Sequence, residues 1–77
     1  MKIEINGMKY REHNEFYLGN IQKYLTIVFV RDISTGHIKE YADFLDGYAT
    51  QSDIENIMRF GFKPGALSRW LTANLEA

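Results

Sequence analysis

Gln22-Lys23-Tyr24-Leu25-Thr26-Ile27-Val28-Phe29-Val30-Arg31 is the stretch on which the fold turns. Its centre is β-branched or aromatic almost throughout, the composition that favours a pleated, buried strand. Alternation sends Leu25, Ile27 and Phe29 to one side and Tyr24, Thr26, Val28 and Val30 to the other. Both sides are substantially apolar, which marks a central strand with neighbours on either hand. The strongly apolar run from Leu25 to Val30 is six residues, far short of the roughly 20 that a membrane-spanning helix needs.

Moving downstream, Asp32-Ile33-Ser34-Thr35-Gly36 carries turn chemistry, with Gly36 suited to a left-handed backbone. His37 to Phe44 then returns as a paired strand, because the central strand needs a neighbour and the turn has hairpin length. A helix is the open alternative, since Ile38, Tyr41, Ala42 and Leu45 also fall at i, i+3, i+4 and i+7. Upstream, Lys2-Ile3-Glu4-Ile5 and Met8-Lys9-Tyr10-Arg11 alternate around Asn6-Gly7, the strongest short hairpin signal. Pairing Ile5 with Met8, Glu4 with Lys9 and Ile3 with Tyr10 puts the apolar residues on one face. Glu12 to Asn20 reads as an irregular connection, with Phe16, Tyr17 and Leu18 docked on the core or extending a strand.

The last third reads as two helices. Ser52-Asp53-Ile54-Glu55 fits a capping box, Ile54, Ile57 and Met58 form a buried stripe, and Gly61 ends the first helix near Phe60. Pro64 opens the second, whose apolar face is Leu67, Trp70, Leu71 and Leu75. The expected fold is α+β, one domain over residues 1–77: a four-stranded antiparallel sheet followed by two C-terminal helices packed on one face.

The chain of 77 residues carries nine Lys and Arg against ten Asp and Glu, so no net positive charge draws it to nucleic acid. Without cysteine there is no disulfide frame, thiolate nucleophile or cysteine zinc site. His13 and His37 stand 24 residues apart, a spacing that places no two metal ligands on one helix face, and read as loop histidines. Asp43, Asp46 and Glu40 read as a solvated acidic edge rather than an acid-base pair, which requires a pocket. An enzyme, a metal site and a cofactor are therefore not expected. Met1-Lys2 leads into alternating residues rather than an apolar leader, and the expected compartment is cytoplasmic.

Two functional readings remain. Thr50 to Asn74 can be laid on the core spacing of a helix-turn-helix, with Arg59, Lys63, Ser68 and Arg69 as the nucleic-acid-binding residues of a small phage regulator. Counted through Glu76, Arg59, Lys63 and Arg69 against Asp53, Glu55 and Glu76 sum to zero, which weakens that reading. Against it stands a protein-binding module: eleven aromatic rings exceed what so small a core can hold, and tyrosine left on a surface favours protein interfaces.

The whole layout resembles the small phage anti-CRISPR proteins that inhibit type I-F systems by binding the Cas surveillance complex. The similarity runs through Met1-Lys2, Val30, Gly36 and Asp43-Phe44, and continues at Ile54-Glu55 and Pro64-Gly65. It implies a non-enzymatic inhibitor, acting in the infected bacterial cell, that docks on Cas proteins through its sheet and blocks recognition of target DNA. It implies no small-molecule substrate and no membrane partner. Where the family carries key tyrosines and an acidic residue, this chain has Asn6, Asn20 and Arg31. The expected contact surface is accordingly the solvent face of the sheet and its loop: Tyr17, Asn20, Tyr24 and Arg31.

Overall fold

The computed structural model describes residues 2–63 together with Arg69, Thr72 and Ala73. Four strands form one antiparallel sheet in sequence order: β1 (Glu4–Ile5), β2 (Met8–Leu18), β3 (Lys23–Asp32) and β4 (Ile38–Leu45). A single helix, α1 (Gln51–Phe60), follows. The first hairpin has the expected register, Glu4 opposite Lys9 and Ile5 opposite Met8. Asn6 and Gly7 take φ of 53° and 75°, the positive values that a two-residue turn of this hand demands. Gly36 likewise takes φ of 76°, and Ile38–Leu45 is a strand, which closes the helical alternative.

β2 is longer than the sequence suggests. It continues from the hairpin to Leu18 and pairs with β3 along its whole length, with an irregularity between Tyr10 and Glu12. That extra residue resets the alternation, so the polar run Glu12-His13-Asn14-Glu15 hides a strand that the period-2 pattern cannot register.

The helix settles which face of β3 is the core. Val28 and Val30 pack with Ile3, Ile5, Met8, Ile54, Ile57 and Met58, and Tyr10, Tyr41, Leu45 and Ala49 lean on the cluster. Leu25, Ile27 and Phe29 therefore look away from the helix. Leu25 and Ala42 are nevertheless buried on that far side, where the Phe44 and Phe62 rings meet with centroids 6.1 Å apart. A central strand apolar on both faces is thus what forms.

The expected layer of two helices is corrected to one among the described elements. The proposed second helix, Pro64–Leu75, and its Trp70 lie outside the described residues except for Arg69, Thr72 and Ala73, which are exposed. The end of the first helix is closely tied to the sheet. Gly61 has φ of −67° and is not left-handed. Its missing side chain instead permits close approach: a Cβ there would lie 2.6 Å from the Ile57 carbonyl oxygen and 2.9 Å from that of Ala42. Phe62 then bonds Ala42 in both directions, N–H to carbonyl at 2.7 and 3.0 Å, which ties the chain to the outer edge of β4.

The N-cap also moves. Thr50, not Ser52, caps α1: its hydroxyl accepts from the Asp53 N–H at 3.2 Å, and the Asp53 carboxylate accepts from the Thr50 N–H at 2.9 Å. Asp serves the reciprocal role that Glu usually has in this motif because its shorter arm still reaches the cap. These bonds hold the Asp53 carboxyl below its usual range, the backbone bond from Thr50 foremost.

Candidate protein-binding surface

Since α1 covers only the end of the sheet where β1 pairs, the same face is left to other residues at its far end. Tyr17 on β2 and Tyr24 on β3 are direct cross-strand partners, with ring centroids 5.1 Å apart. Tyr48, in the segment between β4 and α1, lies 5.2 Å from Tyr24 on its other side. Three tyrosines thus form a contiguous band in which Tyr17 and Tyr48 are 57% and 75% exposed. Aromatic pairs in such tilted geometry add roughly 0.5–1.5 kcal/mol beyond burial, so the rings hold one another in place. Desolvation, then the neighbouring Tyr48 and Tyr17 and finally Glu15, raises the Tyr24 hydroxyl above its ordinary pKa. It remains a neutral hydrogen-bonding group at physiological pH.

Two ties position Tyr48. Asp46 pairs with Lys23 at the start of β3, and the Ala49 N–H donates to Glu15 Oε2 at 3.2 Å. Glu15 is itself oriented by His13, whose Nε2 meets Oε1 at 3.0 Å, while Nδ1 of that ring meets the Tyr10 hydroxyl at 2.7 Å. A neutral His13 carrying its proton on Nε2 satisfies both contacts, accepting from Tyr10 and donating to the carboxylate. His13 is therefore a half-buried strand residue in a polar row and not a loop histidine, whereas His37 is exposed in a turn. Thr26, between Glu15 and Asp43 on the same face, is fully buried, and its hydroxyl has no partner among the described residues.

The other expected contacts do not converge. Asn20 is exposed in the β2–β3 connection beside the tyrosines. Arg31 is exposed but sits seven residues along β3 from Tyr24, on the opposite face. At about 3.3 Å per residue that separates the two by more than 20 Å. Arg31 instead stands beside Lys9 and, one strand further, Glu4. The four predicted residues therefore divide into a group of three and an isolated arginine.

The residues of the nucleic-acid alternative lie partly outside the described chain. Arg59 lies in the last turn of α1 and is exposed, as are Lys63 and Arg69, while Ser68 lies outside the described residues. Ile38–Leu45 before the segment is strand β4, and Phe62, just after α1, is bonded to the sheet edge.

Catalytic geometry is equally sparse. Asp43 accepts from the Phe44 N–H at 2.8 Å, Asp46 pairs with Lys23, and Glu40 is on the other face of β4 from Asp43, so the acidic residues do not gather. No group of three metal-ligating side chains occurs among the described residues. Two shallow grooves flank β4, one of about 380 Å³ beside Ile38, Glu40 and Lys63, the other of about 340 Å³ beside Asp43, Phe60 and Phe62. Lys39 and Tyr41 also line the first. No described helix is long and apolar enough to cross a membrane. No family model, curated protein or solved structure matches the chain.

Tyr48 and Glu15 were not singled out from the sequence. The signal for Tyr48 was weak but present: a large aromatic directly after Asp46-Gly47, a turn pair that places the ring outside the core.

Proposed function

We propose that this chain is a non-enzymatic protein-binding inhibitor that uses the Tyr17–Tyr24–Tyr48 band, with Asn20 at its border, as its contact surface. Following the resemblance, the proposed target is a type I CRISPR surveillance complex in the cytoplasm of a phage-infected bacterium, and the proposed effect is loss of target DNA recognition. The observation that carries the protein-binding reading is the exposure of Tyr17 and Tyr48, each braced against the half-buried Tyr24, at the uncovered end of an otherwise packed face. Tyrosine is among the residues that most often dominate interface energies, because it offers rigid area and a hydroxyl at small entropic cost.

The test is a binding titration of purified surveillance complex with the full chain and with Tyr17→Ala, Tyr24→Ala and Tyr48→Ala. Each substitution is expected to weaken binding by about 1–2 kcal/mol, roughly ten-fold, with the thermal midpoint nearly unchanged. Arg31→Ala is expected to leave binding intact, since that side chain faces the other way. Equal binding by all three tyrosine variants, or retention of labelled duplex DNA by the parent chain in preference to the complex, overturns the assignment.

A further inference from the structure

Charge is distributed unevenly along the sheet. Five cations stand on the strands: Lys9, Arg11, Lys23, Arg31 and Lys39. Lys9 is opposite Arg31, Lys39 is opposite Val30, and Arg11 follows Tyr10, which is also opposite Val30. These four gather six residues along β3 from Tyr24, about 20 Å away. Of the five only Lys23 borders the tyrosine band, and it is paired with Asp46. The carboxylates are placed the other way. Glu15 precedes Tyr17 by two residues on the same face, Asp43 stands opposite Thr26 and so diagonal to Tyr24, and Asp46 precedes Tyr48 by two. Glu15 is close enough to act on the Tyr24 hydroxyl. Three carboxylates against one ammonium leave this border net negative.

Ring and charge select the same kind of partner. The face of an aromatic ring is its negative side and attracts a cation. Tyr17 and Tyr48 each lean on Tyr24 and are otherwise exposed, so ring surface is open at both ends of the band. An acidic partner is repelled from such a surface. A wholly apolar one would desolvate the bordering carboxylates without returning a donor to them. We infer that the band takes an arginine-bearing segment of its protein partner, with guanidinium groups laid on Tyr17 and Tyr48 and their N–H groups turned toward the bordering carboxylates. Arginine suits both tasks because its planar fork stacks on a ring while donating along its edge, whereas the lysine ammonium is a compact, strongly hydrated point charge. This inference rests on the band being the contact surface proposed above and adds what the partner must carry.

The probe is a fluorescein-labelled Gly-Ser peptide carrying several arginines. Beside it stand the same peptide with citrulline, which keeps the planar head and loses the charge, and a proline-rich peptide of equal length. The full chain is titrated into each, with fluorescence anisotropy as the readout, at low salt and at about 0.15 M. The arginine peptide is expected to bind roughly ten-fold tighter than the citrulline peptide and to weaken at the higher salt. Tyr48→Ala and Asp43→Asn are each expected to weaken it roughly three-fold, and Arg31→Ala to leave it unchanged. Asp43→Asn keeps a carbonyl oxygen to accept from the Phe44 N–H, and thermal melts check that every variant is folded. Equal binding of the citrulline or the proline-rich peptide, no binding of the arginine peptide, or arginine binding that survives Tyr48→Ala overturns the inference. The assay contains no surveillance complex, so its failure is separable from that of the proposed function: tyrosine variants that still lose the complex keep the contact surface and remove only its arginine partner.

Discussion

The two ends of the helix-side face use the same chemistry to opposite ends. Where β1 pairs, Val28 and Val30 are completely covered, with Ile54, Ile57 and Met58 laid over them. At the other end Tyr17, Tyr24 and Tyr48 stack on one another and nothing described lies above Tyr17 and Tyr48. The first arrangement removes apolar area from water and stabilises the fold at roughly 25 cal/mol per Å². The second holds large rings rigid while keeping them available. Thr26 and the His13–Glu15 pair mark the boundary, a polar row between the aliphatic and the aromatic ends. On the proposed function, a division of this kind separates stability from recognition, and it breaks if substitutions at the two ends behave alike.

The largest effect belongs to the covered end. Ile57 is 1% exposed beneath the helix and touches the position where Gly61 closes in. Ile57→Ala is expected to cost on the order of 3 kcal/mol, the transfer loss plus the cavity left behind. For a domain with only a few kcal/mol of net stability that removes most of the folded population at moderate urea. Tyr48→Ala, by contrast, should change stability by no more than about 0.5 kcal/mol. Urea titrations of the two variants measure the contrast, and similar midpoints would erase it.

Gly61→Ala follows. The added methyl meets two backbone oxygens that cannot move as a side chain can, at 2.6 and 2.9 Å. The expected loss is about 1–3 kcal/mol, accompanied by faster amide exchange at Ala42 and Phe62 as their paired bonds open. Normal protection at both amides would show that the bridge does not depend on the glycine.

These same residues show what sequence reading could reach. The Asn6-Gly7 hairpin, the central strand, the Gly36 turn and the stripe of α1 were legible because each is a local signal: a turn residue with positive φ, a period of two, a period near 3.6. Gly61 was read as a helix stop, which it is, but for a reason that lies in Ala42, 19 residues away. The facing of β3 was illegible because both of its sides are apolar; only the helix distinguishes them. The polar half of β2 was missed since its residues bond across the face, Tyr10 to His13 to Glu15, where no apolar pattern records them. Of the candidate surface, Tyr17 and Tyr24 share the helix-side face rather than the solvent face expected of them, while Arg31, seven residues along β3 and so of opposite parity, lies on the far face.

The two connections of β3 sharpen the comparison further. At the covered end, Asp32 accepts from the Ser34 N–H and hydroxyl at 3.0 and 2.7 Å and pairs with Lys39 at 2.9 Å. Lys39 foremost, then Ser34, holds the Asp32 carboxyl well below the usual carboxylate range. A folded-state pKa below the unfolded one contributes stability that is present above about pH 4 and disappears as the pH falls through the folded value. Asp32→Asn should therefore lower the thermal midpoint at pH 7 and flatten its decline below pH 4. A parallel downward shift at all pH values would mean that the ion pair and turn bonds are not what titrates.

At the tyrosine end the connection is built differently, and the smallest expected effect lies there. Gln22 takes φ of 54° with no glycine to accommodate it, and the turn is closed by a single longer bond, Ile21 N–H to the Leu18 carbonyl at 3.2 Å. A left-handed backbone costs a side chain with a Cβ roughly 1–2 kcal/mol. Glycine relieves that cost but loses more entropy on folding, so the two terms nearly offset. Gln22→Gly is expected to change stability by less than about 1 kcal/mol, on the stabilising side, and to leave partner binding unaltered because Tyr24 keeps its cross-strand place against Tyr17. Differential scanning calorimetry beside the same binding titration reads both quantities. A clear loss of stability would show that Gln22 makes interactions outweighing its strain, and a loss of affinity with stability intact would extend the contact surface from the tyrosines into the turn itself.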